Sequence, residues 1–219
     1  MRDLAILHNA FHMTDRDLLA LDKSGFLPGP DEGEAEYLAR VEQTKKKFEE
    51  GYWIPEPHWD WVRTYLEGLF DIKPLYICAY YSNKRLAPWQ GAASWIDGRR
   101  LDSIQLRSAL KKGSYLGLYR REEILAHEAI HAARSGFNES VFEEFFAYMT
   151  AEKKWRRVLG PILRRPWEIW PLFLFMLLGI YSPVFYWGAS VWMGIGFFRL
   201  IRCHIVLNRA GKELSLIHI

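Results

Sequence analysis

A chain of 219 residues has room for one ordinary domain of about 150 residues and an appendage. Half of it is apolar and a quarter charged, which excludes a disordered chain, and a net charge of +3 is too small to point to nucleic acid. The two cysteines, Cys78 and Cys203, lie far apart with no Cys-x-x-Cys, so reduced thiols are expected and no disulfide framework.

Met1 to His12 is too polar for a secretory signal peptide, and the domain behind it is expected in the cytoplasm. His8 and His12 are four apart, but no carboxylate follows His8. Residues 1–56 read as a helical N-terminal region. The breaker Pro28-Gly29-Pro30 precedes a charged helix over Asp31–Glu50, whose apolar face is Tyr37, Leu38, Val41 and Phe48. The run Lys45-Lys46-Lys47 reads as its solvated face.

A second domain is expected over 57–160. It opens with a helix from Pro57 to Phe70, where Trp61, Tyr65 and Leu69 together with Trp59, Val62 and Leu66 form a broad apolar face. Three strand-like runs follow: Leu75–Tyr81, Gly91–Ile96 ending at the turn Asp97-Gly98, and Ser103–Leu110. A small, mostly antiparallel sheet is the economical arrangement. Arg121–Arg134, rich in Glu, Ala, Leu and Ile, is a predicted helix stopped by Gly136. Another helix opens at Asn138 or Ser140 and runs to about Leu159. Helix, sheet, helix, helix is an α+β order.

From Pro166 to Phe198 the only charged residue is Glu168, and residues 161–213 read as a membrane segment. Ser182-Pro183 offers a turn, so two short helices, Trp167–Tyr181 and Val184–Ile201, are expected to form a transmembrane hairpin; a single tilted span is the rival. Lys153, Lys154, Arg156, Arg157, Arg164 and Arg165 lie before it, and Arg199, Arg202, Arg209 and Lys212 at its far end. Basic residues on both sides imply that both ends face the cytoplasm. Cys203, beside Arg202 at the edge of this segment, reads as a buried thiol, with acylation the alternative. Leu214–Ile219 reads as one frame of a common sequencing adapter. The natural protein is therefore expected to continue beyond Glu213, and His218 is set aside.

The chemistry lies in His127-Glu128-Ala129-Ile130-His131. Residues four apart share a helix face, so His127 and His131 can offer two imidazole nitrogens to one ion. Neutral imidazole is a preferred zinc ligand. Glu128 emerges beside the metal, where it can act as general base on a zinc-activated water. Ala126, Ala129, Ala132 and Ala133 leave room for a close neighbour. The third ligand is expected from the next helix, with Glu139, Glu143 and Glu144 on offer. Glu143 has capping-box spacing to Ser140, a structural task. Glu144 shares a face with Ala147, which lets that face approach the motif helix, and is preferred.

With these residues the chain resembles the gluzincin group of zinc metallopeptidases, in which two His of His-Glu-x-x-His and a downstream Glu bind Zn2+. The match is His127, Glu128 and His131, then Glu144-Phe145-Phe146-Ala147, with twelve residues between His131 and Glu144. Gly91-Ala92-Ala93-Ser94-Trp95 and Ile104-Gln105-Leu106 also look like the strands leading into a zincin helix. The resemblance implies a zincin-like domain hydrolysing peptide or protein substrates, with an edge strand holding the substrate by strand addition. Two features depart from the group. Tyr148 stands where many members carry an Asp, and there is no evident distal His or Tyr for the oxyanion; Tyr115, Tyr119 and His58 are the residues available. A di-iron centre would need a second Glu-x-x-His, and a desaturase-like site several His clusters; neither is present. The remaining alternative is a non-catalytic, membrane-anchored scaffold or interaction protein with structural histidines.

Overall fold

The computed structural model describes residues 14–97, 100–117, 119–137 and 142–217. The sequence expectations for His8, His12, Gly98, Asn138, Glu139, Ser140 and His218 fall outside these residues. The chain divides into two compact units, Met1–Asn138 and Glu139–Ile219.

In the first unit, α1 (Asp15–Lys23) starts at a capping box in which Thr14 and Asp17 exchange hydrogen bonds. The charged helix α2 covers Glu34–Glu50, three residues shorter at its start than expected because Gly33 is its N-cap. Its inner face buries Tyr37, Arg40 and Val41, with Phe26 completing the cluster. The reason for the late start is Glu32. Its carboxylate turns inward, accepting from the Gly29 amide at 2.9 Å and from Arg40 Nε and Nη2 at 2.7 Å each.

After a 3-10 turn over Glu56–His58 comes α3 (Asp60–Phe70). Of the two apolar rows in this helix, the one through Trp59, Val62 and Leu66 is buried, while Trp61 is exposed and stacks on Tyr65 at 4.7 Å. The sheet holds β1 (Ala79–Tyr81), β2 (Ala92–Asp97) and β3 (Arg100–Leu106), in the order β1-β3-β2. β2 pairs antiparallel with β3, with a bulge at Trp95/Ile96, but β1 runs parallel to β3. A separate antiparallel pair joins β4 (Ser114–Tyr115) to β5 (Tyr119–Arg120). Two of the expected strands are shorter or shifted. Only Ala79–Tyr81 of the first run is strand, and the third run starts at Arg100, ends at Leu106 and gives way to a 3-10 turn over Ser108–Lys112.

The motif helix α4 spans Arg121–Arg134, the limits read from the sequence. Glu122 and Glu123 in its first turn complement the helix dipole. Leu125, Ala126 and Ala129 are fully buried in it, as are Ala79, Ile104 and Leu106 in the sheet. The helix packs on β2, β3 and α3. Its C-terminal end meets Gly29 backbone to backbone: a Cβ on Gly29 would fall 2.0 Å from the Gly136 carbonyl oxygen. Only a residue without a side chain permits that approach.

The second unit is helical. The single helix expected up to Leu159 is two, α5 (Glu143–Met149) and α6 (Lys154–Leu159). Thr150, fully buried, donates its hydroxyl to the Ala147 carbonyl at 2.6 Å and ends α5 there. Then α7 (Ile169–Gly179) and α8 (Val184–Ile217) form the expected hairpin about Ser182-Pro183. α8 continues well past Ile201, the expected end. A core of Phe145, Ile162, Leu200 and Cys203 fixes the base of the hairpin. Among the described residues α8 alone is long and apolar enough to cross a membrane, over Val184–Arg209. With its eleven residues, α7 rises only about 16 Å, so the pair does not make two full spans.

Candidate metal centre

Because α4 is regular through the motif, the His127 and His131 rings lie one above the other, with centroids 5.0 Å apart. Their Nε2 atoms are 3.3 Å apart. Two nitrogens bonded at 2.0–2.1 Å to one tetrahedral zinc are separated by about 3.3 Å, so the pair fits that ion without moving the backbone. His131 is 7% exposed and His127 half-buried.

Glu128 is 8% exposed, and its Oε2 accepts a hydrogen bond from Ser94 Oγ at 2.6 Å. Ser94 lies on β2, opposite Ile104 of β3. β2 is thus the sheet edge beside the motif helix, which the sequence left open; the other edge strand, β1, accepts the Ile54 amide at the Ala79 carbonyl. Ser94 was given no role from sequence. Its signal is a lone hydroxyl in the apolar run Gly91–Ile96, on a strand placed just before the motif helix.

Glu144 is in the first turn of α5 and partly buried, and Glu143 precedes it as the first residue of that helix. Glu144 belongs to the second unit and the two histidines to the first; as residue types, His127, His131 and Glu144 are a set that could hold a metal ion. Tyr148, in place of the Asp of many gluzincins, is used in packing: its ring fills the space beside Gly160, where a Cβ would come within 2.1 Å of it.

The residues considered for the oxyanion have other partners. Tyr115 donates its hydroxyl to the Pro88 carbonyl at 2.6 Å and lies under the Arg107 guanidinium. His58 Nδ1 is 3.3 Å from the Tyr81 hydroxyl, and its Nε2 is 3.2 Å from Arg121 Nη1. Arg121 precedes His127 by six positions, roughly 9 Å along the helix. Burial, helped by the Arg121 cation, holds the His58 imidazole below its usual value of 6.5. A histidine neutral in the folded state binds its proton more readily when unfolded. Its stabilising contribution is complete above about pH 6.5 and is lost as the pH falls towards the folded value. Urea titrations across pH 5 to 7 should accordingly show a shallower loss of stability on acidification for His58→Gln than for the wild type. Parallel curves would show that His58 carries no such linkage.

Comparison of the chain with models of known families, with curated proteins and with solved structures returned no match.

Proposed function

We propose that the chain is a membrane-anchored zinc metallopeptidase in which His127, His131 and Glu144 hold the metal and Glu128 is the general base. The observation that carries this reading is the 3.3 Å separation of the two imidazole Nε2 atoms, which matches the bite of one tetrahedral zinc. When bound, zinc supplies a Lewis acid and a water whose proton is removable near neutral pH. Glu128 would take that proton and pass it to the departing amine. Ser94 would hold one carboxylate oxygen of Glu128 and leave the other to face the water. An extended peptide would add to β2 as a further strand, which brings its carbonyls past Glu128. The basic residues at both ends of the apolar stretch support a cytoplasmic placement of the first unit.

The full chain, purified in detergent, should contain one zinc and hydrolyse casein or a peptide library. A chelator should stop the reaction and added zinc restore it. A well-folded protein that takes up no zinc would overturn the proposal. Removing the Ser94 hydroxyl should act on turnover alone. Ser94→Ala is expected to lower kcat about tenfold with KM and zinc content unchanged, the usual scale for a residue supporting a catalytic group. Ser94→Thr, which keeps the hydroxyl, should recover most of the loss. Unaltered kcat in Ser94→Ala would remove the residue from the mechanism.

One observation favours the scaffold reading. A distance of 3.3 Å also suits an N–H···N hydrogen bond between two structural histidines. Metal content separates the two readings.

A further inference from the structure

At the open end of the helical hairpin sits a layer of charge. Glu168, only 6% exposed, accepts from Arg199 Nη1 at 3.2 Å and from the Arg164 amide at 3.0 Å. Its own carbonyl accepts from Trp192 Nε1 at 2.9 Å. The Arg164 guanidinium reaches across to Cys203 Sγ at 3.2 Å. These bonds tie the residue that precedes α7 to the level of Arg199 on α8, so both strands of the hairpin meet the charged layer at the same height.

Between that layer and the turn there is no charged residue on either helix. The two helices pack along this whole length, with the Tyr186 ring against Gly179 and the Phe175 ring against Gly188. Their outer faces are exposed and apolar, as at Phe173, Leu177, Trp187 and Phe198. The turn Ile180-Tyr181-Ser182-Pro183 is uncharged too, with Ile180 74% exposed and Tyr181 85%. Beyond the layer, by contrast, Arg165 and Arg202 are exposed.

We propose that this hairpin inserts into an anionic membrane from one side and leaves by the same side, without crossing. Lengths decide the matter. α7 rises about 16 Å and the uncharged part of α8, Val184 to Phe198, about 22 Å, against a hydrocarbon core of about 30 Å. With the charged layer at the headgroups, the tip ends inside the core. A tip that emerged on the far side would be expected to carry charged residues to meet water, and Ile180, Tyr181, Ser182 and Pro183 supply none. Crossing by α8 alone, over Val184–Arg209, would draw the Glu168–Arg199 pair and the exposed Arg202 into hydrocarbon, a costly place for charge. The exposed arginines suit anionic headgroups at the layer itself. Irregular backbone at the turn is short, and the flanking helices satisfy their own hydrogen bonds.

The inference concerns the anchor and stands whether or not the first unit hydrolyses peptides. To test it, the full chain carrying Ser182→Cys and an epitope tag at each end is expressed in bacterial cells. The same protein is also reconstituted in phosphatidylcholine–phosphatidylglycerol vesicles, with the wild type as background for the buried Cys78 and Cys203. The protein should float with the vesicles. A fluorophore on Cys at 182 should be quenched more by spin labels deep in the acyl chains than by shallow ones. An impermeant maleimide should fail to reach it from either side in cells and inverted vesicles, and both tags should be cleaved from one and the same side. Tyr181→Cys serves as a second probe if the first variant folds poorly. Labelling of the tip from the side opposite the tags, tags on opposite sides, or failure to float would each overturn the proposal.

Discussion

Replacing Glu128 by Gln should leave the zinc content of the protein unchanged and reduce casein hydrolysis by at least a hundredfold. Gln has the same shape, and its amide oxygen can still accept the Ser94 hydrogen bond now made at 2.6 Å. What it lacks is a site for the proton of the attacking water, and a positioned general base contributes about 10²- to 10⁴-fold. The variant separates base from ligand, because Glu128 emerges between His127 and His131 and is bonded to β2. His127→Ala should behave differently, losing metal and activity together. Should Glu128→Gln keep more than a tenth of the wild-type rate, the proton must go elsewhere. Should it lose zinc, Glu128 is a ligand and the assignment of Glu144 falls with it.

The second large effect lies outside the centre. Arg40→Ala should destabilise the first unit by about 3–5 kcal/mol, the cost of stranding a buried charge. The Glu32 side chain is fully buried and Arg40 is nearly so, and the guanidinium makes two bonds to the carboxylate and a third, at 2.9 Å, to the Leu27 carbonyl. For a domain of this size, about 3–5 kcal/mol corresponds to a fall in Tm of roughly 10 °C or more. The double variant Glu32→Met, Arg40→Met should recover much of the loss, since apolar residues of similar volume replace buried pairs well. A shift below about 1 kcal/mol in Arg40→Ala would show that water reaches Glu32.

What the sequence revealed and what it hid follow the range of the interactions. The motif helix was legible to the residue, because the strong helix formers Ala, Glu, Leu and Arg fill most of it and the four-residue spacing of the histidines fixes their common face. The three strand regions were legible as regions. The parallel pairing of β1 with β3 was not, since it depends on which distant chain lies alongside Ala79–Tyr81. α3 offered two apolar rows, and only the rest of the fold decides which one is buried. Ser94 and Glu32 stayed hidden for a related reason. Each is an ordinary polar residue until its partner, 34 or 8 positions away, is brought to it. Thr150 shows a local miss, a side chain that competes with the helix for a carbonyl where composition favours continuing. α8 runs past Ile201, its expected end, because Arg, Leu and Ile sustain a helix as well as the apolar residues before them.

The meeting of Gly29 with Gly136 bears on the order in which the chain can be assembled. On the ribosome Gly29 is made about a hundred residues before its counterpart, so this contact is among the last that the N-terminal arm can make. Its Glu32–Arg40 pair joins residues of one short stretch and can form earlier, but Gly136 covers it only when the end of the motif helix is synthesised. Closing so long a loop is slow compared with forming the helices themselves. The histidine pair can therefore exist on its helix, complete in register, well before the arm seals the far end of that helix.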